Sequence, residues 1–257
     1  MNTNTISILG IQFFTGRVED VFRQLESCGG LLTAPAAPNL ADILKEKDYY
    51  HALLNSDIVI PDSGYMVLIW NWILRRNSIQ KLSGLKFINF FLQHISSSSK
   101  KLFLINPNDE EGEANRLLFR EKGVRVSDDF MYTAPIYPKQ VEDNTLLKLI
   151  ETSQPHWVLI NIGGGVQEKL GLYLRQNLSF KPAIICTGAA IAFKTERQVP
   201  IPAWIDRLYL GWLARCVSNP RLYIKRYLKS FYLLMILIRY KEKTPYKSAH
   251  KISIQNA

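Results

Sequence analysis

Histidine and cysteine are scarce in this sequence. Its 257 residues include four histidines (His51, His94, His156, His250) and three cysteines (Cys28, Cys186, Cys216). No two histidines stand at HExxH or HxH spacing and no CxxC occurs, so neither a zinc knuckle nor a protein-ligated transition metal is expected. An odd, scattered set of cysteines makes no disulfide framework and fits small buried hydrophobes in a reducing compartment. Long apolar runs are lacking too. The longest uncharged one near the C-terminus, Phe231–Ile238, has eight residues, whereas a bilayer-spanning helix needs about 20. The opening MNTNTISILGIQFF has neither a basic n-region nor a small-residue cleavage site, so no signal peptide is expected and the cytoplasm is the expected compartment. GxGxxG, the P-loop and DxD are absent as well, which removes the usual signatures of dinucleotide, ATP and metal-bridged diphosphate binding.

Apolar residues make up 47% of the chain and charged residues 21%, enough to build a sizeable core and too apolar for a disordered chain. The length suits one large domain or two small ones. The net charge of +10 is unevenly placed. From Pro202 onward eleven Lys and Arg face only Asp206 and Glu242, so nine of the ten net charges lie in the last 56 residues. The remainder is nearly neutral.

Short apolar, β-branched runs alternate with longer stretches of helical periodicity, the pattern of an α/β fold. Strands are predicted at Ile6–Phe14, Gly30–Thr33, Ser56–Pro61, Lys101–Asn106, His156–Gly163 and Ala183–Thr187. Helices are predicted at Val18–Cys28, Leu40–Leu54, Tyr65–Arg75, Leu85–Ile95, Glu110–Lys122, Gln140–Thr152, Val166–Asn177 and Ile205–Val217. The fold expected is Rossmann-like: a mostly parallel sheet with helices on both faces over residues 1–200, followed by a basic, helical appendage over 201–257 that associates with a membrane.

Ligands of open α/β sheets bind beyond the carboxyl ends of the strands. Four such ends carry polar or glycine-rich sequence here: PDSG (61–64), NPND (106–109), GGGVQE (163–168) and CTG (186–188). Asp62 would project into the crevice as a general base, or cap the helix that follows it. Gly163, Gly164 and Gly165 open a helix whose free N–H groups and dipole suit a phosphate, although a plain tight turn reads the same way. Gln167 and Glu168 lie in the first turn of that helix, where a polar pair also suits a surface. Asn106, Asn108 and Asp109 serve equally as turn formers. In the tail, Trp204, Trp212, Tyr223, Tyr227, Phe231 and Tyr232 interleave with cations. That pattern fits an anionic lipid surface better than nucleic acid, with a solvated face as the remaining reading; Lys225, Arg226, Lys229, Phe231 and Tyr232 are the membrane candidates.

The spaced set PDSG, KLSG, LFLINP, GGGVQE, CTGAAIAF and QVPIPAW…GWLARCVSNPRLYIKRYL resembles the WecG/TagA/CpsF family of glycosyltransferases over roughly residues 30–230. The resemblance implies transfer of a sugar from a UDP-sugar, such as UDP-N-acetylmannosamine, to a polyprenyl-diphosphate-linked acceptor, with inversion and without a metal or other cofactor. It implies Asp62 as the base and Gln167 and Glu168 at the donor. Arg215 and Arg221 would close over the diphosphate, together with the tail positions Trp212 and Arg226. Thr187, Gly188, Asn106 and the three glycines complete the donor side. Lys81, Ser83 and Gly84 correspond to a segment assigned to the acceptor. The chain departs from the family pattern at Ala34–Ala36 (for T-P-N), Gln198 (for the Arg of RAP), Gly211 (for the Glu of EW) and Gly165–Val166 (for the proline before QE).

The chemistry is consistent with that resemblance. Single displacement needs one base for the acceptor hydroxyl, and it needs positive charge or N–H dipoles on the departing diphosphate, which Arg forks and a helix N-terminus supply. The expected protein is an inverting glycosyltransferase of envelope glycan assembly. It is expected to be cytoplasmic and peripheral on the inner face of the plasma membrane, with no nucleic-acid partner and room for a homo-oligomer. A catalytically silent nucleotide-sugar-binding subunit is the alternative, and a Rossmann-like oxidoreductase is disfavoured by the missing GxGxxG.

Overall fold

A computed structural model of the protein describes residues 4–76, 79–95, 100–193 and 228–246. The sheet has eight strands: β1 (Thr5–Ile8), β2 (Ile11–Phe14), β3 (Gly30–Thr33), β4 (Ile58–Val59), β5 (Leu102–Asn106), β6 (Met131–Thr133), β7 (Trp157–Ile160) and β8 (Ala183–Cys186). Their spatial order is β1-β2-β4-β3-β8-β7-β5-β6, and every pairing except β1–β2 is parallel.

Around it lie α1 (Val18–Cys28), α2 (Ala37–Leu40), α3 (Lys47–Leu54), α4 (Gly64–Leu68), α5 (Gly84–His94), α6 (Asp109–Glu121), α7 (Asn144–Ser153), α8 (Val166–Asn177) and α9 (Ser230–Tyr240). The central strands are apolar on both faces because helices cover both. Leu102 and Leu104 join one buried cluster with α1, α5 and Phe119 of α6, while Phe103 and Ile105 join another with α7 and α8. In the first cluster Trp157 stacks on Phe22 at 5.4 Å and meets the edge of Phe91 at 5.1 Å.

The structure corrects several sequence boundaries. The single strand expected over Ile6–Phe14 is a hairpin, β1 and β2 pairing antiparallel about Leu9-Gly10, both in positive φ. The helix expected over Leu40–Leu54 is two helices, α2 and α3, separated by turns. The helix expected over Tyr65–Arg75 runs as α4 and then widens into a π-turn, Ile69–Ile73, where Leu74 N–H donates to Ile69 O five residues back. The edge strand β6 follows Asn106 in register yet has no counterpart in the predicted strands. The predicted helix Ile205–Val217 lies outside the described residues.

Helix α9, within the stretch expected to form the appendage, is built into a third cluster. Leu233, Ile236 and Leu237 are buried with Ile8, Leu9, Phe13, Trp70 and residues of α2 and α3. The chain after it clasps the hairpin tip: Leu9 N–H donates to Lys241 O at 2.7 Å and Gly10 N–H to Glu242 O at 3.0 Å. Tyr50 Oη donates to Leu9 O and meets Thr244 Oγ1 at 2.9 Å. Among the described residues no helix is long and apolar enough to cross a membrane.

Candidate active site

The carboxyl ends of β4, β8, β7 and β5 bring most of the expected residues to one edge of the sheet. Asp62 follows β4, but it does not cap α4. Ser63 does, its Oγ accepting Met66 N–H at 3.1 Å. The Asp62 carboxylate turns instead to the next helix, where Oδ1 accepts the Gly84 N–H at 2.8 Å. Ser83, the N-cap of α5, accepts Lys86 N–H and is buried, so it acts here as a cap. The Lys81–Gly84 segment is tied alongside by Leu82 N–H donating to Pro61 O at 3.2 Å.

From Gly84 the contacts run across the sheet. A Cβ on Gly84 would stand 3.0 Å from Thr187 O, so the two backbones pack directly. Gly188 N–H donates to Gln167 Oε1 at 3.1 Å, and Gln167 Nε2 donates to Glu168 Oε1 at 3.1 Å. Glu168 Oε2 in turn accepts Gly165 N–H at 2.6 Å, closing the first turn of α8. Gln167 and Glu168 are therefore buried partners within the site, each 1% exposed, and not a surface pair. Burial raises the Glu168 carboxyl above the usual 4.5, although bonds from Gln167 and Gly165 oppose it. The Thr187 hydroxyl is buried with no hydrogen-bond partner among the described residues.

The glycine turn is open to solvent on one side, while its Gly165 N–H is held by Glu168 and the Val166 and Gln167 N–H groups turn back to Gly163 O. Gly165 adopts φ +94°, which a side chain would strain, and Gly163 and Gly164 are exposed at the N-terminus of the twelve-residue α8. A Cβ on Gly164 would come within 2.8 Å of Asn39 Nδ2. Sequence reasoning overlooked Asn39: with Ala34–Ala36 replacing polar residues, α2 presents an amide to the turn from a few positions further on. Asn106 lies apart from Gln167, one strand beyond β7, and accepts Asn161 Nδ2 at 3.3 Å; Asn161, just past the end of β7, is a second residue not singled out from sequence. The signal for Asn161 is a lone amide ending the run WVLI just before the three glycines.

Of the remaining site residues, Arg215 and Arg221 lie outside the described residues, as do Lys225, Arg226, Gln198 and Gly211. Lys229 pairs with Asp42 of the body. Phe231 and Tyr232 are exposed on α9 beside Leu228, Met235 and Ile238, with Tyr65 packed against Phe231 at 6.1 Å. Among the described residues no three His, Cys, Asp or Glu side chains converge as a metal site would require.

A family model described as "Glycosyl transferase WecG/TagA/CpsF family" matches residues 6–247. The chain is 23% identical over 195 residues, 74% of its length, to an N-acetylglucosaminyldiphosphoundecaprenol N-acetyl-beta-D-mannosaminyltransferase of Bacillus subtilis (strain 168), covering 73% of that relative. It is 21% identical over 224 residues to the Staphylococcus aureus (strain MRSA252) protein of the same name, covering 85% of this chain and 86% of the relative.

Proposed function

The chain belongs to the WecG/TagA/CpsF family of glycosyltransferases, and from that premise we propose that it moves N-acetylmannosamine or a related hexose from a UDP-sugar to a polyprenyl-diphosphate-linked glycan, inverting the anomeric centre. The observation that carries this reading is the connected path from the Asp62 carboxylate through Gly84, Thr187, Gly188 and Gln167 to the Gly163–Gly165 turn. It links the proposed base to the proposed diphosphate site along one edge of the sheet, and a single displacement needs both functions.

In this mechanism the diphosphate rests on the N-terminus of α8, where the glycines admit it and Arg215 and Arg221 close over it. The acceptor hydroxyl, lying by Asp62 and the Lys81–Gly84 segment, attacks the anomeric carbon. As the new C–O bond forms, the bond from the anomeric carbon to the diphosphate oxygen breaks. The hydroxyl proton passes to Asp62, and the electron pair departs on the nucleoside diphosphate. Positioned proton transfer contributes about 10²–10⁴-fold, and arginine and N–H donors meet the charge developing on the leaving group without a metal cofactor. The substrate named for the two relatives is a polyprenyl-linked N-acetylglucosamine. This chain is proposed to meet such an acceptor as a peripheral protein at the inner face of the plasma membrane, through the exposed apolar side of α9 and the basic tail.

The test is transfer of labelled sugar from UDP-N-acetylmannosamine, and from a panel of other UDP-sugars, to N-acetylglucosaminyl-diphosphoryl-polyprenol. Product whose new linkage has the configuration opposite to the donor's supports the reading. No product from any UDP-sugar overturns it.

A further inference from the structure

Negative charge is missing from one long stretch of the α/β body. Residues 63–108 contain no Asp or Glu, while Arg75, Arg76, Lys81, Lys86, Lys100 and Lys101 all fall within them. The stretch starts directly after Asp62, and its first cations follow the π-turn. At that turn apolar surface is exposed as well. Trp72 is 78% exposed and its neighbour Ile73 57%. Two adjacent large apolar side chains in water, next to arginines and far from any acid in sequence, have the composition of a segment at the headgroup level of an anionic bilayer.

The turn is held firmly on its other side. Ile69 and Trp70 are buried in the cluster that also takes Leu233, Ile236 and Leu237 of α9. Tyr65, about two turns before Trp72 on the same helix, packs on Phe231 at 6.1 Å, and Arg76 pairs with Glu242 at 3.3 Å. The exposed pair thus belongs to the same corner of the molecule as the outer side of α9. Arg75 ends the turn in the left-handed region, at φ +52°, a conformation that costs energy for a residue with a side chain.

The turn is also tied to the site at both ends. Behind it, α4 and the π-turn run on from Ser63, the neighbour of Asp62, and at about 1.5 Å per residue Trp72 stands about 12 Å along that helix from Gly64. Ahead of it, Asn71 Nδ2 donates to Ile79 O at 2.7 Å, and Asn71 Oδ1 accepts Ile79 N–H at 3.4 Å. Ile79 is itself buried and leads into Lys81–Gly84, where Leu82 and Gly84 bond to Pro61 and Asp62. A second copy of the chain is a poorer occupant of this face than lipid. Two-fold pairing would set Arg75 and its neighbouring cations against their own equivalents, with no acid in the stretch to meet them.

We propose that the π-turn is a lipid contact of the α/β body. Trp72 and Ile73 enter the headgroup region of an anionic bilayer, Arg75 lies on the lipid phosphates, and Asn71 carries that depth to the Lys81–Gly84 segment. The lipid contact stands without the acceptor reading above. Its consequence, that the turn sets the height of the acceptor hydroxyl over the membrane, rests on that reading.

The test uses the full-length protein, Trp72→Ser combined with Ile73→Ser, and Trp72→Phe, with α9 unaltered in all three. On phosphatidylglycerol vesicles at high salt, where charge is screened, the double variant is expected to bind at least about tenfold more weakly, as withdrawal of two large apolar side chains from lipid implies. Trp72→Phe is expected to keep most of the binding and to lose part of the fluorescence quenching that brominated phosphatidylglycerol produces in the unaltered protein. Transfer to a long-chain polyprenyl acceptor in vesicles should fall in the double variant by about the factor lost in binding, while transfer to a short, soluble acceptor is retained. Vesicle binding by the double variant equal to that of the unaltered protein overturns the proposal, including where the variant sediments as a smaller species and the face belongs to a second copy. Quenching unchanged in Trp72→Phe overturns it even should the double variant fail to fold. Equal loss of transfer to both acceptors overturns the link to Lys81–Gly84. If the unaltered protein transfers sugar to neither acceptor, the function reading falls, and vesicle binding and quenching still decide the lipid contact.

Discussion

Asp62 Oδ1 accepts the Gly84 N–H, and Gly84 lies bare against the backbone of Thr187. One glycine thus couples the expected base to the strand end on the donor side. The carboxylate is oriented from the N-terminus of α5, a helix of eleven residues whose dipole favours negative charge there. Asp62→Asn keeps a carbonyl for Gly84 but cannot take a proton. Turnover should fall about 10²-fold or more with UDP affinity and melting temperature nearly unchanged. Near-normal turnover of this variant removes Asp62 from the mechanism. Gly84→Ala forces a Cβ against Thr187 O and should destabilise by about 1–3 kcal/mol, read by denaturant melts.

The diphosphate contacts are tested at Arg215 and Arg221. Alanine at either position should weaken UDP and the intact UDP-sugar alike, because the diphosphate is common to both. Lysine should restore only part of the affinity, since it lacks the planar fork. UDP affinity that survives in both alanine variants assigns these arginines to lipid or structure.

Glu168 predicts a pH dependence of stability. Burial raises its carboxyl in the fold, so the folded protein holds that proton at pH values where the unfolded chain has released it. The stability it contributes is whole below 4.5 and is lost as pH climbs through the raised value. Glu168→Gln can still accept Gly165 N–H and does not titrate. Between pH 4.5 and neutrality the unaltered protein should therefore lose melting temperature relative to the variant, while parallel curves for the two proteins would exclude Glu168 as the source.

The outer side of α9 can be changed without touching its buried side. Phe231→Ser combined with Met235→Ser leaves Leu233, Ile236 and Leu237 packed in the core. The unaltered protein should sediment with anionic vesicles at low salt, less at high salt and poorly with neutral lipid, since each Lys or Arg near such a surface contributes about 1 kcal/mol. The double variant should lose the part of binding that survives salt. Binding identical to the unaltered protein at every salt concentration excludes this face.

The central parallel strands were legible because apolar runs buried on both faces carry a strong signal, as in LFLIN and WVLI. The hairpin was hidden because its tip, Leu9-Gly10, has no turn dipeptide of the usual kind and is itself apolar, being covered by residues more than 230 positions away. No local pattern reports that cover. The site was read well where its residues adjoin a glycine or proline mark, as at Asp62 and Gln167. Asn39 and Asn161 escaped because their neighbours are set by strand order and not by spacing, and β6 because three partly exposed residues make little periodic signal.

The clasp between Leu9–Gly10 and Lys241–Glu242 also orders events in time during synthesis. The hairpin leaves the ribosome before the helix that covers it, which follows some 220 residues later. At about 5–20 residues per second, Ile8, Leu9 and Phe13 wait on the order of 10–40 s for Leu233 and Leu237. Through that interval the part of the cluster that Leu233, Ile236 and Leu237 fill stays uncovered, although α2, α3 and Trp70 are already made. The half of the sheet around β5 and β7, with its own covering helices already made, is under no such delay.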